Sequence, residues 1–171
     1  MKKIILALVF LLFIPASAQT AQYEAAFSPK GESLELVLAP IKTAQESILV
    51  AAYSFTSKPI SKALLAAHKR GVKVYVVADK KTNSEQYTAV TFLARQGIPV
   101  RLNGEYAVHH NKFMVIDGRH VQTGSFNYSA AAVDKNAENV LVISDAPDLA
   151  RQYAKEWERL WDEGELVEAK Y

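Results

Sequence analysis

Two short apolar runs, Ile48–Tyr53 (ILVAAY) and Val72–Ala78 (VKVYVVA), bracket a stretch with helical spacing. Runs this short and this apolar belong to strands buried inside a sheet rather than to helices. Ser57, Lys58 and Pro59 open the intervening helix, Ile60, Leu64, Leu65 and His68 fall near one stripe, and Gly71 ends it. A strand–helix–strand unit of this kind commits the chain to a sheet covered by helices. The same grammar continues. Asn83 is expected to cap a helix containing Val90, Phe92, Leu93 and Gln96, with Gly97 behind it and a strand over Ile98–Leu102. Two strands around Asp117-Gly118, a strand over Asn139–Ile143 and a helix from Pro147 to about Asp162 follow. Leu149, Tyr153, Trp157, Leu160 and Trp161 mark the apolar side of that last helix. Upstream, Gln19–Glu32 reads as a polar lead-in, Ser33–Leu38 (SLELVL) alternates as a strand, and Pro40 opens a short helix to about Glu46. The expected fold class is α/β: a mixed β-sheet sandwiched between helices, in one domain.

The first eighteen residues stand apart from this pattern. Lys2 and Lys3 precede an apolar run from Ile4 to Ile14, Pro15 breaks it, and Ala16-Ser17-Ala18 offers a small-residue cleavage site. This is the form of a secretory signal peptide. A retained anchor is the alternative, but the run covers roughly half of the ~20 residues a spanning helix needs. Cleavage after Ala18 predicts a mature domain over 19–171, periplasmic or secreted, with no stable membrane association. The chain has no cysteine. That excludes disulfide scaffolds, thiol nucleophiles and Cys-ligated metals together. Charge is nearly balanced, 20 Lys+Arg against 18 Asp+Glu, but unevenly spread. Ile41–His120 holds 12 bases and 5 acids, whereas Val121 onward holds 5 bases and 10 acids. The middle of the chain can present a positive surface to a polyanion. From charge alone, solvated helix faces are the favoured account.

Chemistry concentrates in Val108–Ser129, VHHNKFMVIDGRHVQTGSFNYS. Asp-Gly is a strong hairpin signal, because a two-residue type I′ loop needs positive φ at both positions. Such a loop at Asp117-Gly118 would set Ile116 opposite Arg119, Lys112 opposite Thr123 and His110 opposite Ser125. One face would then carry an imidazole, an ammonium and two hydroxyls, with Asn127 beyond. A phosphodiester needs fixed donors on its non-bridging oxygens, and imidazole serves as nucleophile, base or acid. In this register His120 pairs with Val115 on the face opposite His110, so His109, His110 and His120 do not form a metal cluster.

His110-x-Lys112 with Asp117 after it, then Gly124-Ser125-x-Asn127 and the acid Glu138, resembles the HKD motif of the phospholipase D superfamily. The resemblance extends over nearly the whole mature chain and is nearest to small exported bacterial endonucleases with one motif per chain. It implies a homodimer in which two His110 rings meet at one site, since attack and leaving-group protonation occur on opposite sides of phosphorus. It further implies a phosphohistidine intermediate, phosphate binding by Lys112, Ser125 and Asn127, a catalytic or turn role for Asp117, and Glu138 orienting His110. No cofactor or metal is implied. DNA or RNA is the expected substrate, and Tyr53, Phe55, Tyr106, Phe126 and Tyr128 are available for base stacking or for the core. A phospholipid substrate and a non-catalytic nucleic-acid-binding module are the alternatives.

Overall fold

A computed structural model of the chain describes residues 20–84 and 88–168. The expected signal segment over 1–18 lies outside them. Among the described residues the strands are β1 (Gln22–Ser28), β2 (Ser47–Ala52), β3 (Lys73–Asp79), β4 (Val100–Asn103), β5 (Lys112–Ile116), β6 (His120–Gly124), β7 (Glu138–Ser144) and β8 (Glu165–Leu166). They form one mixed sheet in the order β1-β7-β6-β5-β2-β3-β4-β8. The central β2, β3 and β4 run parallel, and β5 runs antiparallel to β2. Strands β6, β7 and β1 extend that side as an antiparallel meander with β1 at the edge.

Helices cover both faces. On one side, α1 (Ser33–Thr43), α2 (Lys58–Lys69) and α4 (Ala89–Arg95) set Val37, Ile41, Ile60, Leu64, Val90 and Leu93 against Ile48, Val50, Val74, Val76, Met114 and Ile116. On the other, α6 (Pro147–Asp162) lays Ala150, Trp157 and Leu160 over Ala51, Val77, Phe113, Val115, Val121 and Ile143. Buried Trp157 donates its indole N–H to the Val50 carbonyl at 2.8 Å, so its one polar atom is satisfied. The remaining helices are single turns, α3 (Lys80–Asn83) and α5 (Ala130–Asp134). This is the expected helix-covered mixed sheet in one domain.

Three local expectations are corrected. Ser33–Leu38 is helical, and Pro40 lies inside that helix rather than opening one. Its buried residues, Ser33, Val37, Leu38 and Ile41, follow the helical period once the window reaches past Leu38. The polar lead-in contains β1, an exposed edge strand paired to β7. The helix expected from Asn83 begins later, at Thr88, which shares a capping box with Thr91. Asn83 instead closes α3 and is fully buried.

The hairpin register also shifts by one. Ile116 pairs with His120 and Phe113 with Thr123, so Asp117, Gly118 and Arg119 form a three-residue loop. Asp117 and Gly118 do take positive φ, 51° and 61°. The register is set by a distant contact. The Asp117 carboxylate accepts hydrogen bonds from the backbone N–H groups of Gln45 (2.9 Å), Glu46 (2.8 Å) and Ser47 (3.0 Å). Its own N–H donates to the Ser47 carbonyl at 2.9 Å. The loop is thereby clamped to the start of β2. Burial alone would raise the pKa of Asp117, but the three backbone donors outweigh it and hold the carboxyl below its ordinary value.

Replacing Asp117 by Asn keeps a side chain tolerant of positive φ while removing the charge and one acceptor oxygen. The expected loss is about 1–3 kcal/mol of stability at neutral pH, read from urea midpoints. Because the folded-state pKa is depressed, this contribution is full above the ordinary carboxylate range and is lost as pH falls through the depressed value. The gap between the wild type and Asp117→Asn therefore narrows below about pH 4.

Candidate active site

The parallel strands β2 and β3 end where antiparallel β5 begins, with Ala52 paired to Lys112. The C-terminal ends of β2, β3 and β6 and the N-terminal ends of β5 and β7 consequently share one edge of the sheet. His110 and Lys112 lie there, as do Ser125 beyond β6 and Glu138 at the first position of β7. Asp117 lies at the opposite edge. The length of β5, about 17 Å at 3.3–3.4 Å per residue, separates it from Lys112. Its place in the structure is the turn clamp described above.

His110 is exposed, and its ring packs against Tyr53 at a centroid distance of 4.7 Å. Lys112 is 6% exposed; its Nζ donates to the His110 carbonyl at 2.7 Å and stands 5.2 Å from the Tyr53 ring centroid. Burial lowers the pKa of Lys112, and the nearby Glu138 carboxylate opposes that shift. Glu138 accepts from the Ser125 hydroxyl at 2.6 Å and from the Asn136 amide at 2.9 Å. The Ser125 hydroxyl oxygen in turn accepts from the Asn139 N–H at 3.1 Å. Asn127 lies just beyond, its side-chain oxygen buried without a partner. His110, Lys112, Ser125, Asn127 and Glu138 are thus gathered at one edge, but not by the cross-strand pairing that the two-residue loop implied. No hydrogen bond joins Glu138 to His110 of the same chain among the described residues. Its contacts are with Ser125 and Asn136, and its charge acts on Lys112.

Two residues that sequence reasoning did not assign to the site hold it in place. Asp79, buried at the end of β3, caps α3 through the Thr82 N–H (2.9 Å) and accepts the His109 backbone N–H with its other oxygen (2.9 Å). Asn83 donates to the Tyr53 carbonyl (2.6 Å) and accepts from the Phe55 N–H (3.1 Å), fixing the loop that carries Tyr53. Polar residues at the carboxyl ends of parallel strands are where α/β sheets build sites, and that position was the available signal. His109 points inward: it is 2% exposed, and burial lowers its pKa while Asp79 and Glu156 oppose the shift. His120, paired with Ile116 rather than Val115, accepts the Asp145 N–H on Nδ1 at the far end of β5. Distance, not facing, separates it from His110. No group of three or more His, Asp or Glu suited to a metal ion occurs among the described residues. Of the aromatics considered for stacking, Phe55, Phe126 and Tyr128 are fully buried core, and Tyr106 donates its hydroxyl to Glu163 at 2.9 Å.

The profile of the family described as "Cardiolipin synthase, PLD-like domain" matches residues 37–161, spanning every strand and loop that supplies the site. The chain belongs to the phospholipase D-like family. Among solved structures, the Nuc protein of Salmonella typhimurium, a phospholipase D family member, superposes with a TM-score of 0.85 at 38% identity, covering 87% of this chain and 99% of that one. The family's fold is therefore the fold of this chain. "Phospholipase D" of Rickettsia bellii is 38% identical over 77% of this chain, and "Mitochondrial cardiolipin hydrolase" of Danio rerio 35% identical over 81%. The chain spans 65% and 61% of the lengths of those two relatives.

Gly124 sets the spacing between Ser125 and Glu138. It has φ +143°, and a Cβ there would lie 2.3 Å from the Asn139 carbonyl oxygen. Gly124→Ala is expected to cost about 1–3 kcal/mol in urea unfolding, since the position is strained as well as occupied. It also displaces the Ser125 hydroxyl from Glu138, so turnover of a small diester falls further than the unfolded fraction explains.

Proposed function

We propose that the chain is a phosphodiester hydrolase acting on nucleic acid, working as a homodimer outside the cytoplasm after loss of residues 1–18. The observation that carries this reading is an exposed imidazole, His110, standing beside a buried ammonium, Lys112, at the sheet edge where the carboxyl ends of β2 and β3 lie. A buried cation in a low-dielectric setting attracts a phosphate more strongly than a solvated one does. It acts as a fixed counter-charge for the non-bridging oxygens.

One copy supplies one such imidazole, and in-line displacement uses two. In the proposed reaction His110 of one chain attacks phosphorus; a P–N bond forms as the P–O bond to the departing oxygen breaks. The partner subunit's His110, protonated, gives its proton to that oxygen. Now neutral, it takes a proton from water, whose oxygen attacks phosphorus and releases the first ring. Lys112 and Asn127 hold the non-bridging oxygens, and Ser125 assists. The contacts of Glu138 support a task other than the orienting of His110 within one chain. It keeps Lys112 charged against its burial and aligns the Ser125 hydroxyl.

The basic excess over Ile41–His120 and the likeness to Nuc favour nucleic acid. The names of the Rickettsia bellii and Danio rerio relatives favour a phospholipid diester as the second reading. The two are separated by comparing turnover of plasmid DNA with turnover of cardiolipin vesicles. The expected result is plasmid nicking that persists in EDTA and falls by on the order of 10³-fold in His110→Ala, with slower hydrolysis of the lipid. Faster lipid turnover transfers the assignment to the phospholipid. No turnover of either, or of bis-p-nitrophenyl phosphate, leaves a binding module in place of an enzyme.

A further inference from the structure

A second concave surface lies between α2 and α4, outside the residues assigned to the reaction. It encloses about 380 Å³ and is lined by Lys58, Lys62, Arg95, Phe92 and the Thr56 and Ser61 side chains, among others. Its three charged residues are all basic, and none of them has an ion pair among the described residues. Lys69, Lys73, Lys135 and Lys155 also have no ion pair among the described residues, so what sets the cleft apart is three such cations on one concave surface. The placement of these cations is locally unfavourable. Lys58 and Lys62 sit four residues apart on one helix, where like charges repel. Lys58 opens α2, whose first turn has no acid, so the positive end of the helix dipole meets another positive charge. A bound polyanion would relieve both penalties. Phe92, 38% exposed, offers an aromatic face in the same cleft.

The cleft is continuous in sequence with the reaction site. Tyr53, against the His110 ring, and Thr56, in the cleft, are three residues apart, a reach of at most about 11 Å. The connection is rigid: the Thr56 and Ser57 N–H groups both donate to the Tyr128 carbonyl at 2.8 Å. An unstacked strand advances further per nucleotide than the ~3.4 Å of stacked DNA, so that reach corresponds to at most about three nucleotides.

We infer that this cleft is a subsite for the flank of a single-stranded nucleic acid, with a base on Phe92 and its phosphates near Lys58, Lys62 and Arg95. The inference rests on the nucleic-acid reading above. A single strand fits because stacking needs a free base face, which a duplex conceals. Much of the exposed lining is carbon, from Phe92, Ala89 and the stems of the long side chains, so it is the three cations, Lys58, Lys62 and Arg95, that favour a polyanion over an acyl chain.

The test uses three substrates: an oligothymidylate of about twelve nucleotides, a dithymidylate, whose one phosphate is the scissile one and which has no flank for the cleft, and bis-p-nitrophenyl phosphate. In Phe92→Ala and in Lys62→Ala/Arg95→Ala, KM for the oligomer rises about fivefold to a hundredfold. For the two short diesters kcat/KM is unchanged. Restoring a ring with Phe92→Trp returns the oligomer KM to its original range. If the wild type cleaves the oligomer and these substitutions leave its KM unchanged, or weaken all three substrates alike, the subsite is overturned while the nucleic-acid reading stands. If the wild type hydrolyses bis-p-nitrophenyl phosphate but not the oligomer, the substrate reading itself has failed. Loss of cardiolipin-vesicle turnover in Phe92→Ala, with the oligomer unaffected, assigns the cleft to a lipid and overturns the proposal.

Discussion

The antiparallel pairing of β5 with β2, Ala52 opposite Lys112, brings the beginning of one strand to the end of the other. In a sheet whose central strands are parallel, loops that leave their carboxyl ends gather on one edge. A strand inserted the other way adds its incoming residues to that edge, and β5 adds His110 and Lys112. The return through β6 and β7 then delivers Ser125 and Glu138 to the same place. The segments meet there because Lys112 and Glu138 begin their strands, while His110 just precedes β5 and Ser125 and Asn127 just follow β6. The Asp117 clamp at the opposite edge fixes the register on which this convergence depends.

Burial divides the labour among neighbours of similar type. His109 and His110 are adjacent, yet opposite faces of the chain give one a sealed setting and the other an open one. Lys112 is withdrawn beneath Tyr53 and bonded to the His110 carbonyl, so its position follows the backbone at His110. Removing a lysine from water favours its neutral form, and the Glu138 carboxylate opposes that tendency. Lys112, Glu138 and Ser125 therefore behave as one unit: a change at any of them alters the charge or geometry of the others.

Much of this was legible in the sequence because it is local. The strand–helix alternation, the last helix and the cluster from His110 to Glu138 are all carried by spacing within short windows. SLELVL misled because Leu34, Leu36 and Leu38 fit a period of two, while the helix depends on Val37 and Ile41 lying on one stripe. The hairpin loop contained the expected Asp-Gly, but its length was decided by backbone donors at 45–47, some seventy positions away in the chain. Asp79 and Asn83 escaped notice for the same reason. Each reads locally as a strand end or a helix cap, and its second task appears only when β3 is brought alongside the segment at Tyr53 and His109.

The central claim is that the His110 ring forms a covalent bond to phosphorus during turnover. Rapid quenching at neutral to alkaline pH with an excess of a slow diester substrate, followed by intact and peptide mass measurement, reads this directly. The account predicts a phosphorus-containing adduct that maps to His110, is labile to acid and is missing in His110→Ala. Steady turnover with no adduct on any histidine, or an adduct on a different residue, would contradict it.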